Sequence, residues 1–165
     1  MFHKLMYNTI MLKNKILSFL LFLIVTFSAS FIGAFATINY KEPWYSLLIK
    51  PSFNPPDWVF GPVWTTLYLL MTIAIWKVWQ SNFRNINIVY TYFIHLFFNT
   101  MWSIVFFVFH NILLAFMIII VLIGFILYLM IHYKKINPIS FYLMIPYLAW
   151  CIFASVLNFS ILIIN

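Results

Sequence analysis

The sequence predicts an all-α membrane protein: one domain, 1–165, built as a bundle of five transmembrane helices with a proline- and tryptophan-rich loop between the first two. Three observations carry this reading. Hydrophobic residues make up 66% of the chain and charged residues 7%, with a mean hydropathy of +1.06, a balance foreign to soluble globular domains. Five apolar runs reach the length of about 20 residues that a helix needs to cross the hydrocarbon. Between the first two runs lies a segment that holds Pro43, Pro51, Pro55 and Pro56 and both acidic residues, Glu42 and Asp57.

The first run, 16–38, follows Lys13 and Lys15, and its Ala34-Phe35-Ala36 has the look of a signal-peptidase site. At 21 residues from Ile16 to Ala36 it is longer than a usual signal core, and we read a retained helix. Ala29 with Gly33, and Ser30 with Ala34, repeat at four-residue spacing, which lets a second helix backbone approach closely, within the chain or in a dimer. The other spans are placed at 62–79, 86–109, 111–133 and 139–164, and the short connections predict that sequential helices pack as antiparallel neighbours.

Charge speaks to topology rather than to nucleic acid. Nine cations scattered over 165 residues form no basic patch. With five spans, Lys4, Lys13, Lys15, Lys77, Arg84, Lys134 and Lys135 fall on the N-terminal side, against Lys41 and Lys50 on the other. That asymmetry predicts a cytoplasmic N-terminus, in a bacterial cell membrane or an organelle membrane. The lone cysteine, Cys151, lies in an apolar run and reads as a small buried hydrophobe.

The spans lack the groups that ion coupling or hydrolysis requires. No acid lies within them, Lys77 sits near a helix end where it can snorkel, and no histidine and carboxylate cluster has metal-ligand spacing. What remains is aromatic and amide. His95, Asn99, Trp102 and Phe106 share one face of the third span, with Ser103 beside them. Two readings of that face stay open: hydrogen bonds between helices, or polar contacts to a ligand from Asn99 or His95. On the fifth span Tyr147, Trp150, Ala154 and Asn158 recur at helical spacing after Pro146, and Trp64 and Tyr68 pair on the second. A cavity lined in this way suits a flat, largely apolar ligand with few polar edges, such as a tetrapyrrole, a sterol or a polycyclic aromatic.

The loop at 39–61 reads as a lid over that cavity. Trp44 and Tyr45 would anchor it at the interface, and Pro51, Pro55 and Pro56 would stiffen it. Asp57 would cap the second helix, and Lys50 and Trp58 complete the set.

The motifs Trp44-Tyr45, Lys50-Pro51, Pro55-Pro56, Trp58-Val59-Phe60 and Pro62-Val63-Trp64-Thr65 come in register with two later blocks. These are Asn99 with Trp102-Ser103 and Phe106-Phe107, then Pro146-Tyr147-Leu148 with Trp150, Ala154 and Leu157-Asn158. From about residue 30 onward the chain resembles the TspO/MBR family of tryptophan-rich sensory proteins, translocator proteins and peripheral benzodiazepine receptors.

The resemblance implies a five-helix bundle, often a homodimer, with a ligand cavity beneath the first loop. It implies a receptor or carrier of porphyrins, haem-related pigments, sterols or other lipid-like molecules, with no required cofactor and no metal. Some bacterial relatives degrade protoporphyrin under light, and the tryptophans tied to that activity match Trp64 and Trp150, which would make the chain an enzyme. A third reading is a structural partner of a membrane complex. The chain departs from the family in three places. His95 stands where glutamine is common, Leu114 falls near a pocket tryptophan of animal members, and Phe159 replaces the tyrosine of the sterol motif, with no basic residue after it.

Overall fold

A computed structural model describes residues 14–81 and 86–165. Lys4, Lys13 and Arg84, counted above for topology, lie outside the described residues. The elements are α1 (Lys15–Tyr40), a single turn α2 (Trp44–Leu47), α3 (Asp57–Ser81), α4 (Ile86–Ser103) continued by a π-helical turn (Ile104–Val108), α5 (Ile112–Ile136) and α6 (Pro138–Ile164). Five of these units are long and apolar enough to cross a membrane: α1, α3, α4 with its π turn, α5 and α6. The protein is an all-α, multi-pass integral membrane protein.

Asparagines start three of the helices. The side chain of Asn14 accepts from the amides of Ile16 and Leu17, and that of Asn111 accepts from Leu114. Asn137 serves both neighbours: its own amide donates to Tyr133 O at 2.7 Å, and its side chain accepts from Ile139. Pro138 follows at the first helical position, where no amide hydrogen is missed. A single residue thus turns the chain from α5 into α6.

The spans depart from the sequence reading chiefly in two places. The second span begins at Asp57, not 62, because Pro55-Pro56 ends the loop and Pro62 is accommodated inside the helix. The third span gives up α geometry at Ile104, where Phe109 N donates to Ile104 O in the i to i+5 manner. In the last span Pro146 is likewise carried inside a continuous helix.

The packing order also corrects an expectation. The helices form a closed ring in the order α1, α3, α6, α5, α4 and back to α1, and α3 and α4 touch at only a few points although they follow one another. The small face of α1 explains the exchange. Gly33 packs on Ser103, whose Oγ would lie 3.2 Å from a Cβ placed there, and Ala29 O accepts from Thr100 Oγ1 at 3.3 Å. The four-residue repeat of small side chains therefore serves the contact of α1 with α4 inside the chain. At the opposite end of α1, Gln80 donates to Ser18 and Trp76 Nε1 to Lys15 O, which tie it to α3.

Met71, Ile75, Tyr92, Leu122, Ile126, Leu129, Met144 and Tyr147 fill the lower half of the ring. A second cluster, around Tyr45, Phe106, Phe107, Ala115 and Leu157, closes the upper half beneath the loop. Many large side chains, among them Phe31, Phe35, Tyr90 and Phe97, remain exposed on the outer surface, as a bilayer-facing surface requires.

Candidate functional site: an aromatic cavity under the first connection

Between these two clusters the ring does not fill. A cavity of about 520 Å³ opens there, within the range of small-molecule sites. Aromatic rings form part of its wall: Phe60 and Trp64 from α3, Trp102 and Phe106 from the third span, and Trp150 from α6. Trp102 stacks on Phe106 with centroids 5.3 Å apart, Phe60 meets Trp150 edge-on at 5.9 Å, and Trp64 leans on Tyr68 at 5.6 Å. Gly33, Ala34, Gly61 and Ala154 supply the room that these rings leave open. The π turn matters here, since both Phe106 and Phe107, adjacent in sequence, are buried and line the cavity.

Several of its polar groups are already oriented by hydrogen bonds. Trp102 Nε1 donates to Asn158 Oδ1 at 3.2 Å, and Asn158 Nδ2 donates to Ile112 O, a carbonyl of the first turn of α5. On the floor, the Tyr68 hydroxyl donates to Asn99 Oδ1, and Asn99 Nδ2 donates to the Tyr147 hydroxyl at 2.9 Å. Tyr147 in turn lies 2.8 Å from Nε2 of His95.

Six of the eight residues proposed from sequence for ligand contact therefore line the cavity: Trp64, Tyr68, Asn99, Trp102, Trp150 and Ala154. His95 and Tyr147 do not. Both are fully buried one layer behind the wall, where they hold Asn99. Helical periodicity placed them on the right face, but it carries no information about depth along the bundle axis. The same reading did not foresee that Lys41, Tyr45, Gly33 and Phe107 reach the cavity. Its nearest signal for Gly33 was the small-residue repeat.

The connection is held by side chains rather than by regular structure. The indole of Trp44 stacks on His110, and Tyr45 is buried against Phe106 and Phe107. Tyr45 belongs to the upper cluster, and the half-buried Trp44 packs against it. Lys50 Nζ lies 4.5 Å from the centroid of the Tyr45 ring, and the Tyr45 hydroxyl donates to Asn54. The carboxamide of Asn165 pairs with both backbone groups of Ile49, at 2.9 and 3.0 Å, which fixes the middle of the connection to the end of α6. Asn54 bridges Pro51 and Pro55, its amide to the first and its side chain to the second. Pro51, Pro55, Pro56, Lys50 and Trp58 shape the connection without lining the cavity, and Trp58 is 75% exposed.

Charge is confined to the mouth. Lys41, which ends α1, forms an ion pair with Asp57 at the start of α3 and lies 3.7 Å from Glu42. All three line the cavity. Asp57 is the first residue of α3, with Lys41 as its partner. Burial pushes the Tyr45 phenol above its ordinary range, and the negative charge of Asp57 adds to that rise.

On the outer surface, α3 and α6 enclose a shallow apolar groove lined by Pro62, Val63, Leu70, Pro146, Ala149 and Phe153. Trp150 belongs to this groove and to the inner cavity alike, so its ring forms part of the partition between them.

Known proteins are similar to this chain over most of its length. The chain is 38% identical over 152 residues to the tryptophan-rich protein TspO of Archaeoglobus fulgidus, covering 92% of this chain and 99% of that one. It is 36% identical over 158 residues to the tryptophan-rich protein TspO of Chlorobaculum tepidum, covering 93% and 99%. The human translocator protein is 33% identical over 124 residues, 72% of each chain. A family model described as the TspO/MBR family matches residues 20–164, from within α1 to the end of α6. The five-helix ring, the aromatic cavity and this match agree: the chain belongs to the TspO/MBR family.

Proposed function

We propose that this protein is a membrane receptor or carrier for flat, hydrophobic ligands of the porphyrin or tetrapyrrole kind, held in the cavity beneath the connection between α1 and α3. The observation that carries the reading is the cavity wall itself. Trp64, Trp102, Phe106 and Trp150 surround about 520 Å³, and the polar atoms at the floor are few and fixed in direction. Aromatic walls bind a planar π-system by stacking and edge contacts, and a small number of oriented polar groups sets its pose. Relatives named sensory protein and translocator protein support a receptor or carrier role.

Tryptophans in the wall make the test direct. Adding protoporphyrin to the purified protein in mild detergent is expected to quench tryptophan fluorescence saturably, and Trp150→Phe to change the depth of quenching. A linear, non-saturating response in the native protein would overturn the reading.

A further inference from the structure

We infer that His95, which does not touch the cavity, fixes the hydrogen-bonding sense of the cavity floor, so that Tyr68 offers a ligand an acceptor and not a donor. The inference rests on the ligand-binding reading above and adds to it the polarity of the ligand edge that reaches the floor.

One chain of hydrogen bonds leads from His95 to the cavity floor. His95 Nδ1 lies 3.3 Å from the backbone carbonyl of Tyr92. A carbonyl only accepts, so the ring proton belongs on Nδ1, and Nε2 is left as an acceptor. The Tyr147 hydroxyl, 2.8 Å from Nε2, must then give its single proton to His95. With that proton spent, Tyr147 can only accept from Asn99, which requires the amide nitrogen on that side, at 2.9 Å. The carboxamide oxygen of Asn99 is thereby turned toward Tyr68, whose hydroxyl donates to it.

Each step follows from the one before. The opposite sense would set Nδ1 and the Tyr92 carbonyl against each other as two acceptors within a fully buried site. Tyr68 lines the cavity with its proton committed inward, which leaves a lone pair for the ligand. A ligand edge bearing N–H or O–H matches it, and an edge bearing a bare oxygen meets another acceptor. The floor thus selects the donor-bearing member of any pair of equal shape.

Carbazole and dibenzofuran form such a pair: flat tricycles of the same outline, one with an N–H donor and one with an oxygen acceptor. Calorimetric titration of each into the intact protein in mild detergent is expected to favour carbazole by roughly tenfold. In Tyr68→Phe the preference should vanish. In His95→Leu, which removes the acceptor of Tyr147 and frees the Asn99 amide to turn, the preference should fall at least threefold. Comparing each variant with the native protein cancels the different partitioning of the two probes into detergent.

Equal binding of both probes to the native protein overturns the inference, as does a preference that survives Tyr68→Phe. A preference lost in Tyr68→Phe but intact in His95→Leu overturns the role of His95. If neither probe binds and protoporphyrin fails to quench, the ligand reading itself falls, and this inference with it.

Discussion

The indole of Trp44 lies almost parallel to the imidazole of His110, with centroids 4.4 Å apart and planes 16° from parallel. His110 sits just beyond the π turn with φ at 52°, a left-handed conformation that few side chains adopt readily. The contact joins the short turn α2 to the top of the third span and holds the connection over the cavity. Trp44→Ala is expected to cost about 2 kcal/mol of stability and to speed limited proteolysis between α1 and α3. An unchanged cleavage rate would mean that the other loop contacts suffice.

Lys41 and Asp57 join the end of α1 to the start of α3 across the mouth of the cavity. Asp57 is largely exposed, so the pair contributes under about 1 kcal/mol to global stability. Asp57→Asn is expected to leave thermal unfolding almost unchanged while raising the dissociation rate of a bound porphyrin, as read by stopped-flow recovery of fluorescence. The difference between the native and variant rates should shrink at high salt.

Gly33 and Ser103 set the distance between α1 and α4. A Cβ on Gly33 would come 3.2 Å from Ser103 Oγ, a contact that a small rotation of the serine relieves. Gly33→Ala should therefore cost little, and Gly33→Leu about 1–3 kcal/mol by overpacking. Combining Gly33→Leu with Ser103→Gly should recover part of that loss, and a double-mutant cycle on thermal unfolding measures the coupling.

Tyr133 and Tyr147 are both fully buried, yet they stand in opposite positions. The Tyr133 hydroxyl has no hydrogen-bond partner among the described residues, whereas that of Tyr147 is shared by His95 and Asn99. Tyr133→Phe is expected to be neutral or to stabilise by about 1 kcal/mol, because it removes an unpaired buried hydroxyl. Tyr147→Phe should cost about 1–3 kcal/mol, because it leaves two polar groups unpaired. Unfolding of the two variants in the same detergent decides the order.

Tyr45 gives the connection a dependence on alkaline pH. Burial, followed by the charge of Asp57, raises its phenol above the usual value of about 10, so the folded loop holds this proton more tightly than the unfolded chain does. Its contribution is fully present below that usual value and is lost as the pH climbs through the raised one. Titration of phenolate absorbance should show a late-ionising tyrosine that disappears in Tyr45→Phe. Asp57→Asn should shift that step to lower pH.

Much of this was legible in the chain because bilayer physics leaves few choices. Five apolar runs had to become helices, and the tryptophans at 102 and 150, remote from the span ends expected of an interfacial belt, faced inward. The ring order was not legible. It depends on Gly33 and Ala29 admitting α4 beside α1, a choice of partner that a small-residue repeat permits without naming. Nor could spacing separate Asn99, which borders the cavity, from His95 one turn away, which lies behind it. The start of α3 at Asp57 rather than 62 has a local reason: the Pro55-Pro56 pair ends the loop, and Pro62 is carried inside the helix. Nor does aromatic placement near a span end name the partners of Trp44 and Tyr45, whose rings meet His110, Phe106 and Phe107.

The confinement of charge to the rims has an electrical consequence. Among the described residues no acid, lysine or arginine lies midway along a span, and the cavity's charged groups gather at its mouth. Moving one elementary charge through the full membrane potential is worth about 2.3 kcal/mol per 100 mV, and the interior of this bundle offers no charge to be moved. A neutral ligand would enter and leave such a cavity with no electrical work, so its occupancy should follow concentration and stay indifferent to voltage.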